Sequence, residues 1–291
     1  MKFGIGLIPQ HDYKKTIDFI KIAENTGFQY AWIYDNFKNN YYKLLRNISF
    51  ETETIKICTG VTNPYIRDAD ELSEEMLSLD DMYTKRAIIG LGVGSKEKLK
   101  NYDINWTNPI NTLKSAVNSI KKITNKKIPI YIESQSQSLL NYCQKNTNGV
   151  LIPSSNPKDF KYLKSESNFD IVSYSSTSIN TDSEIAKTSS QIAVAFIVAG
   201  VPPHILKRYE VSEKLANEIY INLCKGNIGN ATRLVNDELI DKFSLTGTPD
   251  EIINKINTLN EVGVNQIIVT SPIGKNIKES IILFSEIIES F

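Results

Sequence analysis

Cysteine and histidine are scarce in this chain of 291 residues, and their scarcity excludes several kinds of site. The three cysteines lie far apart, at Cys58, Cys143 and Cys224, and they form no CxxC pair. Only His11 and His204 could join them, so we expect no metal site. An odd number of dispersed cysteines is also a poor disulfide framework, which indicates reduced thiols in a cytoplasmic protein.

Net charge and long apolar runs are also lacking. Lys plus Arg and Asp plus Glu both number 33, so the formal charge is zero and nothing draws the chain to a phosphate backbone. We therefore expect no nucleic-acid partner. The longest apolar-rich stretch, 192–201, is about half as long as a membrane span, and the N-terminal apolar run is too short for a signal peptide. A soluble, intracellular protein without a membrane partner is expected.

Apolar strand-like runs alternate with amphipathic helical patterns along the whole chain. This alternation predicts a parallel sheet with right-handed crossovers. Eight such units predict an α/β fold of the (β/α)8 type, a TIM barrel. An open, doubly wound sheet is the alternative, although no G-x-G-x-x-G motif follows the first strand. The predicted strands are 3–8, 30–34, 55–59, 87–91, 128–132, 149–152, 171–174 and 266–270.

The spacing of the strands is uneven at one place, where residues 175–265 separate the seventh strand from the eighth. Helical patterns at 183–199, 212–223, 228–239 and 249–262 fill this interval. We expect a helical insertion at about 180–247 that packs beside the barrel. Since no linker or low-complexity segment is present, a single domain over residues 1–291 is predicted.

The functional residues of such a barrel lie where its strands end. Strand 4 ends in alternating glycines, Gly90, Gly92 and Gly94, which could let a flat ring approach the backbone; tight packing or a bulge is the alternative. The uncharged segments 134–136 and 154–156 each precede a predicted helix. Their backbone N–H groups could hold a phosphate, or their side chains could only cap the helix.

Two ionisable residues follow the first two strands. Asp35 ends strand 2 and could act as a base, as a hydrogen-bond acceptor or as a helix cap. His11 lies in the loop after strand 1, where a plain surface histidine is the alternative to a catalytic one.

Together these strand ends resemble the luciferase-like flavin and deazaflavin barrel family, and within it the coenzyme F420-dependent methylenetetrahydromethanopterin reductases. The resemblance runs nearly end to end. It is carried by 59–65 (TGVTNPY), 155–160 (SNPKDF), 194–200 (VAFIVAG), 247–251 (GTPDE) and 271–274 (SPIG). The last four segments are specific to the reductase branch.

The resemblance implies that reduced F420 passes a hydride to the methylene carbon of a pterin-type substrate in archaeal one-carbon metabolism, with FMN as the alternative cofactor. It also implies a phosphate near the ends of strands 5 and 6, a non-proline cis peptide at Gly60–Val61 behind the deazaflavin, and a homodimer or homotetramer. The implied cofactor-binding residues are Asp35, Asn36, Gly60, Val61, Thr62, Asn63, Gly92, Gly94, Ser95, Ser134, Gln135, Ser155 and Asn156.

The chain departs from the reductase pattern at two positions where acids are expected. The family carries Glu on strand 1, where this chain has Gly6, and an acid after the strand 4 glycines, where this chain has Ser95. Opening a methylene bridge needs a proton donor for the ring nitrogen. Two alternatives follow: an F420- or FMN-dependent oxidoreductase with a different substrate, and a non-catalytic cofactor-binding paralogue. The remaining acid–base candidates are Asp35, Glu97 and His11, with Asp12 beside the histidine.

Overall fold

A computed structural model of the chain describes all residues except 37–39, 83–84, 95–98, 101–102 and 164–167. Among the described residues, eight parallel strands close into a ring, since β6 pairs with β7, β7 with β9 and β9 with β1. The predicted (β/α)8 barrel is therefore confirmed. The strands are β1 (Lys2–Leu7), β2 (Tyr30–Ile33), β3 (Lys56–Thr59), β4 (Ala87–Leu91), β5 (Ile130–Glu133), β6 (Gly149–Ile152), β7 (Asp170–Ile179), β8 (Leu245–Gly247) and β9 (Gln266–Ile273).

The seventh strand differs from its prediction, because β7 continues to Ile179 and there pairs with the additional short strand β8. Hydrophobicity did not indicate this extension, since it is rich in Ser and Thr. The structure buries these hydroxyls and gives most of them partners: Thr177 Oγ1 donates to Ser175 O at 3.1 Å, and Ser173 Oγ, just before the extension, donates to Ser154 O at 2.7 Å, whereas Ser178 Oγ has no partner among the described residues. Buried hydroxyls with partners do not oppose strand formation.

The helices surround the barrel and follow the predicted alternation with the strands. Between β7 and β8, residues 228–239 form two short helices instead of the single predicted one, because the Asn236 side chain accepts from Leu239 N at 3.0 Å and starts a new helix. The helices are α1 (Tyr13–Asn25), α2 (Tyr41–Glu51), α3 (Ala69–Met82), α4 (Pro109–Ile123), α5 (Gln137–Asn146), α6 (Ser183–Gly200), α7 (Pro203–Arg208), α8 (Glu213–Cys224), α9 (Ile228–Arg233), α10 (Asp237–Phe243), α11 (Pro249–Glu261) and α12 (Ile277–Ile288).

Helix α11 begins as its sequence predicts. The Thr248 side chain accepts from Glu251 N, and the Glu251 carboxylate accepts from Thr248 N at 2.8 Å, which forms a capping box. Pro249 occupies the first helical position, where its missing N–H costs nothing. Local chemistry alone therefore fixes this helix start.

The buried apolar residues form separate clusters. The largest fills the layer between the strands and the outer helices, and a smaller one around Trp32, Tyr131 and Tyr174 fills the interior of the barrel. Helices α6 to α10 pack around a cluster of their own that includes Val194 and Ile219. The helical insertion is thus confirmed, whereas the single domain over 1–291 stays a prediction. In the described part of the chain, no helix is both long and apolar enough to cross a membrane.

Candidate active site

A cavity of about 640 Å³ opens at the carboxyl end of the barrel strands. Its floor includes Tyr34 after β2, Glu133 at the end of β5, Tyr174 on β7 and Thr270 on β9. Ligand sites of this fold lie at this end of the barrel, and the volume suits a small-molecule site.

The helical insertion forms the wall of this cavity. Phe196 and Ile197 of α6 and Phe243 of α10 line it, and they are apolar or aromatic. The insertion was expected only to pack beside the barrel, and hydrophobic periodicity could not show that one of its faces borders a ligand-sized space. An apolar wall opposite a floor with polar groups is the usual character of a binding pocket.

The wall is fixed to the barrel by the buried carboxylate of Asp159, in the short 3-10 turn Pro157–Asp159 after β6. Arg208 Nη1 lies 2.5 Å from Asp159 Oδ1, and the Tyr209 hydroxyl donates to Asp159 Oδ2. The Tyr209 hydroxyl also contacts Ser154 Oγ at 3.0 Å. Burial and the Asp159 charge raise the pKa of Tyr209, so the phenol stays protonated and can donate.

Tyr34 and Tyr174 place two phenol groups on the cavity floor, with ring centroids 5.9 Å apart. Thr270, whose hydroxyl donates to Ser175 O at 2.9 Å, lines the same floor. The Tyr174 hydroxyl donates to Gly60 O at 3.1 Å. Burial raises the pKa of Tyr34 to about 12, and the negative charge of Glu133 adds to the effect. Both phenols are therefore protonated at neutral pH.

Glu133 is a functional candidate that the sequence-based prediction does not include, although it includes the neighbouring residues Ser134 and Gln135. It is the last residue of β5, it is half-buried, and it lines the cavity. A methyl group placed on Gly92 of the adjacent β4 loop would lie 3.0 Å from Glu133 Oε2. An acid at the carboxyl end of a barrel strand is the signal that could have identified it.

Gly6 leaves no room for a side chain. A methyl group placed there would lie 2.9 Å from Thr270 Cγ2 and 3.5 Å from Cε2 of Tyr174. The space that a side chain at position 6 would occupy is therefore filled by the side chains of Thr270 and Tyr174.

Neighbouring side chains pack tightly against the glycines of strand 4, which is one of the two predicted roles of these glycines. Gly90 lies against Thr59, whose Oγ1 accepts from Gly90 N at 2.8 Å, and a methyl group on Gly92 would lie 2.5 Å from Val61 Cγ2. The Gly60–Val61 peptide is cis, as expected from the resemblance. The ring-sized space lies farther out, in the cavity.

The remaining implied residues on the β3 and β4 ends hold these loops together. Asn63 Nδ2 donates to Val93 O at 2.8 Å, and Asn63 Oδ1 accepts from Tyr65 N at 2.9 Å. Thr62 is fully buried, and its backbone N–H donates to Gly90 O. Gly94 adopts a φ of 63°, a conformation that glycine tolerates best.

The segments after β5 and β6 divide between the two roles considered for them. Asn156 Oδ1 accepts from Lys158 N and caps the 3-10 turn, whereas Ser134 Oγ accepts from Ser136 N in a local turn before α5. Gln135 lines the cavity. Ser155 Oγ is buried and has no hydrogen-bond partner among the described residues. Ser155 itself does not line the cavity, so its contact with a phosphate stays a prediction.

Asp35 is paired with an arginine and does not line the cavity. Its buried carboxylate accepts from Arg67 Nε at 2.5 Å and from Arg67 Nη2 at 2.9 Å. The guanidinium also lies over the rings of Tyr41 and Tyr42, about 5 Å from each centroid. Asn36, the next residue, lies on the rim outside the cavity.

The other acid–base candidates lie away from the cavity or outside the described residues. His11 is exposed and borders a separate depression of about 510 Å³ together with Asn36. Asp12 caps α1, since its Oδ1 accepts from Lys14 N. Glu97 and Ser95 fall within 95–98, outside the described residues.

Comparisons with known proteins agree with this geometry. Residues 1–150 match the family model described as luciferase-like monooxygenase. A 5,10-methylenetetrahydromethanopterin reductase from Archaeoglobus fulgidus is 36% identical over 98% of each chain. The enzyme of the same name from Methanolobus tindarius is 33% identical, over 98% of this chain and 99% of its own.

Solved structures give the same result. The coenzyme F420 dependent tetrahydromethanopterin reductase from Methanopyrus kandleri superposes with a TM-score of 0.94 at 30% identity, and the match covers 100% of this chain and 99% of that one. An F420-dependent secondary alcohol dehydrogenase superposes with a TM-score of 0.76 at 14% identity, over 99% of this chain and 98% of its own. At that identity the likeness establishes the fold alone.

Proposed function

Because the chain belongs to the luciferase-like monooxygenase family, and to the branch that contains the 5,10-methylenetetrahydromethanopterin reductases, we propose that it is an F420-dependent reductase of a methylene-tetrahydropterin. The observation that carries the proposal is full-length similarity to enzymes of one name, at up to 36% identity. The cavity at the carboxyl end of the barrel lies where ligands of this fold bind.

Residues of the cavity fit the cofactor. The apolar wall of α6 and α10 offers a surface for a flat ring system, and the Ser154 side chain lies on the same cavity. Gln135 and the cis peptide at Gly60–Val61 complete the set that we assign to cofactor binding. The bound deazaflavin would supply the hydride, while the chain orients the two ligands and excludes water.

The test is turnover under anaerobic conditions. Purified protein should oxidise reduced F420 only when methylene-tetrahydromethanopterin is present, and methyl-tetrahydromethanopterin should accumulate in equal amount. The matched control replaces the pterin with its methyl product, which has no methylene bridge to reduce. Tight binding of F420 without turnover would contradict the proposal.

A second candidate is an F420- or FMN-dependent oxidoreductase of the same fold that acts on another substrate. Gly6 favours it, because no side chain from that position of β1 reaches the cavity. The absorbance spectrum and mass of the ligand released from purified protein separate F420 from FMN. A bound FMN, with turnover of a substrate other than a pterin, would favour this candidate.

We also propose a cytoplasmic, archaeal homo-oligomer. The free thiols of Cys58 and Cys143 are buried, in keeping with a reducing compartment. Ile185 and Ile192 of α6 are 37% and 42% exposed and do not line the cavity, and large apolar side chains at an exposed helix face suit a subunit interface. Size-exclusion chromatography with light scattering should give a mass of at least two chains.

A further inference from the structure

We infer that Glu133 is the proton donor of this site, since it lines the cavity whereas Asp35 and His11 do not. The inference rests on the function proposed above. Reduction of a bridging methylene group to a methyl group requires one proton at the ring nitrogen that leaves, in addition to the hydride. The donor must therefore be an acid that faces the cavity.

The residues that line the cavity limit the choice of proton donor. Among the described residues that line it, Glu133 is the only carboxylic acid and Lys242 the only cation. Lys242 Nζ forms an ion pair with Glu238 on the same helix, α10. Asp35 lies in the Arg67 ion pair and Asp12 caps α1, so neither carboxylate faces the cavity.

The surroundings of Glu133 connect it to the cavity floor. Its negative charge raises the pKa of both Tyr34 and Tyr174, after the larger effect of burial, so these phenols lie within electrostatic reach of its carboxylate. The rings of Tyr34 and Tyr174 lie side by side, with centroids 5.9 Å apart, and Thr270 lines the same floor. Hydroxyl groups from β2, β7 and β9 thus extend across the floor from the β5 side, where Glu133 lies.

The proposed step is balanced as follows. The O–H bond of protonated Glu133 breaks and an N–H bond forms at the ring nitrogen, while the C–N bond of the methylene bridge breaks. The methylene carbon receives a hydride from the reduced deazaflavin. The two-electron oxidation of the cofactor also releases one proton to solvent, and the Glu133 carboxylate takes one proton back from solvent, so that the protons balance. Tyr34 and Tyr174, both protonated at neutral pH, orient the nitrogen and stay unchanged.

Replacing the acid while keeping its shape tests the assignment. Glu133→Gln should lower kcat by about 100-fold or more, the contribution of a general acid, while the Kd for F420 stays within about twofold. Glu133→Asp should retain measurable turnover. Glu261→Gln, at the exposed end of α11, is the matched control and should behave as the unaltered protein. An unchanged kcat in a folded Glu133→Gln variant overturns the inference.

Two further readouts separate a proton donor from a structural residue. Turnover of the unaltered protein should fall as pH rises through deprotonation of the donor, and this limb should vanish in Glu133→Gln. Acetate or formate should restore part of the turnover of Glu133→Ala in proportion to the concentration of the undissociated acid. Loss of activity without either effect would mean that Glu133 has only a structural role and would overturn the inference.

An infrared titration of the ligand-free protein keeps this test independent of turnover. The difference between the spectra of the unaltered protein and of Glu133→Gln should contain a carboxylic acid C=O band that titrates with pH. If the unaltered protein binds F420 but reduces no pterin, the proposed function fails while this difference band still assigns the titrating acid. A difference spectrum without such a band overturns the assignment, whatever the activity.

Discussion

Arg67 and Asp35 form a paired, two-point contact beneath the rim of the barrel. The Asp35 side chain is fully buried and that of Arg67 is 11% exposed, with Nε to Oδ2 at 2.5 Å and Nη2 to Oδ1 at 2.9 Å. The guanidinium plane also contacts Tyr41 and Tyr42 of α2. Asp35 therefore joins the end of β2 to the loop before α3, and we assign it a structural role.

Removing the charge of Asp35 should destabilise the fold. We expect Asp35→Asn to lower the free energy of unfolding by about 3 kcal/mol, because it leaves the Arg67 charge buried without its counter-charge. The measurement is urea unfolding followed by circular dichroism. Glu51→Gln breaks the exposed Lys21–Glu51 pair and is the matched control, with an expected loss below about 1 kcal/mol. Equal losses in the two variants would refute a special role for the buried pair.

The packing of Gly6 against Thr270 can be tested by a double-mutant cycle. Gly6→Ala should cost about 1–3 kcal/mol, because the new methyl group would lie 2.9 Å from Thr270 Cγ2. Thr270→Ser removes that methyl group and keeps the hydroxyl that donates to Ser175 O. The cost of Gly6→Ala should therefore be smaller in the Thr270→Ser background. Additive losses would show that the two positions are independent.

The attachment of the insertion to the barrel depends on Tyr209. Tyr209→Phe should cost about 1–3 kcal/mol, because Asp159 and Ser154 lose a buried hydroxyl partner. Backbone amides of α7 should exchange hydrogen faster, as measured by mass spectrometry. Tyr162→Phe, at a tyrosine that is 68% exposed, is the control and should change neither quantity. Unchanged exchange in α7 would mean that other contacts hold this wall.

Alkaline pH should weaken the fold in a defined range. Burial raises the pKa of Cys143 to about 12 from an ordinary value of 9.0, so the unfolded chain loses this proton above pH 9 while the folded chain keeps it. The stabilisation is complete below pH 9 and is lost as pH rises towards 12. We expect the free energy of unfolding to fall by roughly 2 kcal/mol between pH 8 and 10.5 from this group alone.

Urea unfolding at several pH values measures this dependence. Cys143→Ala should reduce the slope above pH 9, whereas Cys224→Ala, at an exposed thiol, should leave it unchanged. Burial also raises the pKa of Cys58 and of several tyrosines, Tyr34 among them, and these groups contribute in the same direction and set the slope that remains. A slope that Cys143→Ala does not alter would contradict the prediction.

The architecture was predictable because it follows from local patterns. All eight strands of the ring were placed from apolar runs, and the start of α11 from Thr248, Pro249 and Glu251. The elements that were not predicted have a common cause. The extension of β7, the strand β8 and the division of 228–239 depend on hydroxyl and amide side chains, whose partners come from other parts of the chain.

The candidate site was less predictable, because the spacing of residues along the sequence does not show which side chains lie close together across a barrel. The family resemblance correctly predicted the cis peptide at Gly60–Val61. Sequence could not tell which acid faces the cavity. Asp35 and Glu133 both end strands, yet Asp35 turns to Arg67 whereas Glu133 lines the cavity.

The sequence by itself determined the order of strands and helices, the closed barrel and the family, since each depends on periodicity, caps or contiguous motifs. Tertiary structure alone decided which side chains meet. In the folded chain, Thr270 packs against Gly6 and α6 forms a wall of the cavity. The physical reason is that packing and charge pairing act through space, between residues such as Tyr34 and Tyr174 that lie far apart along the chain.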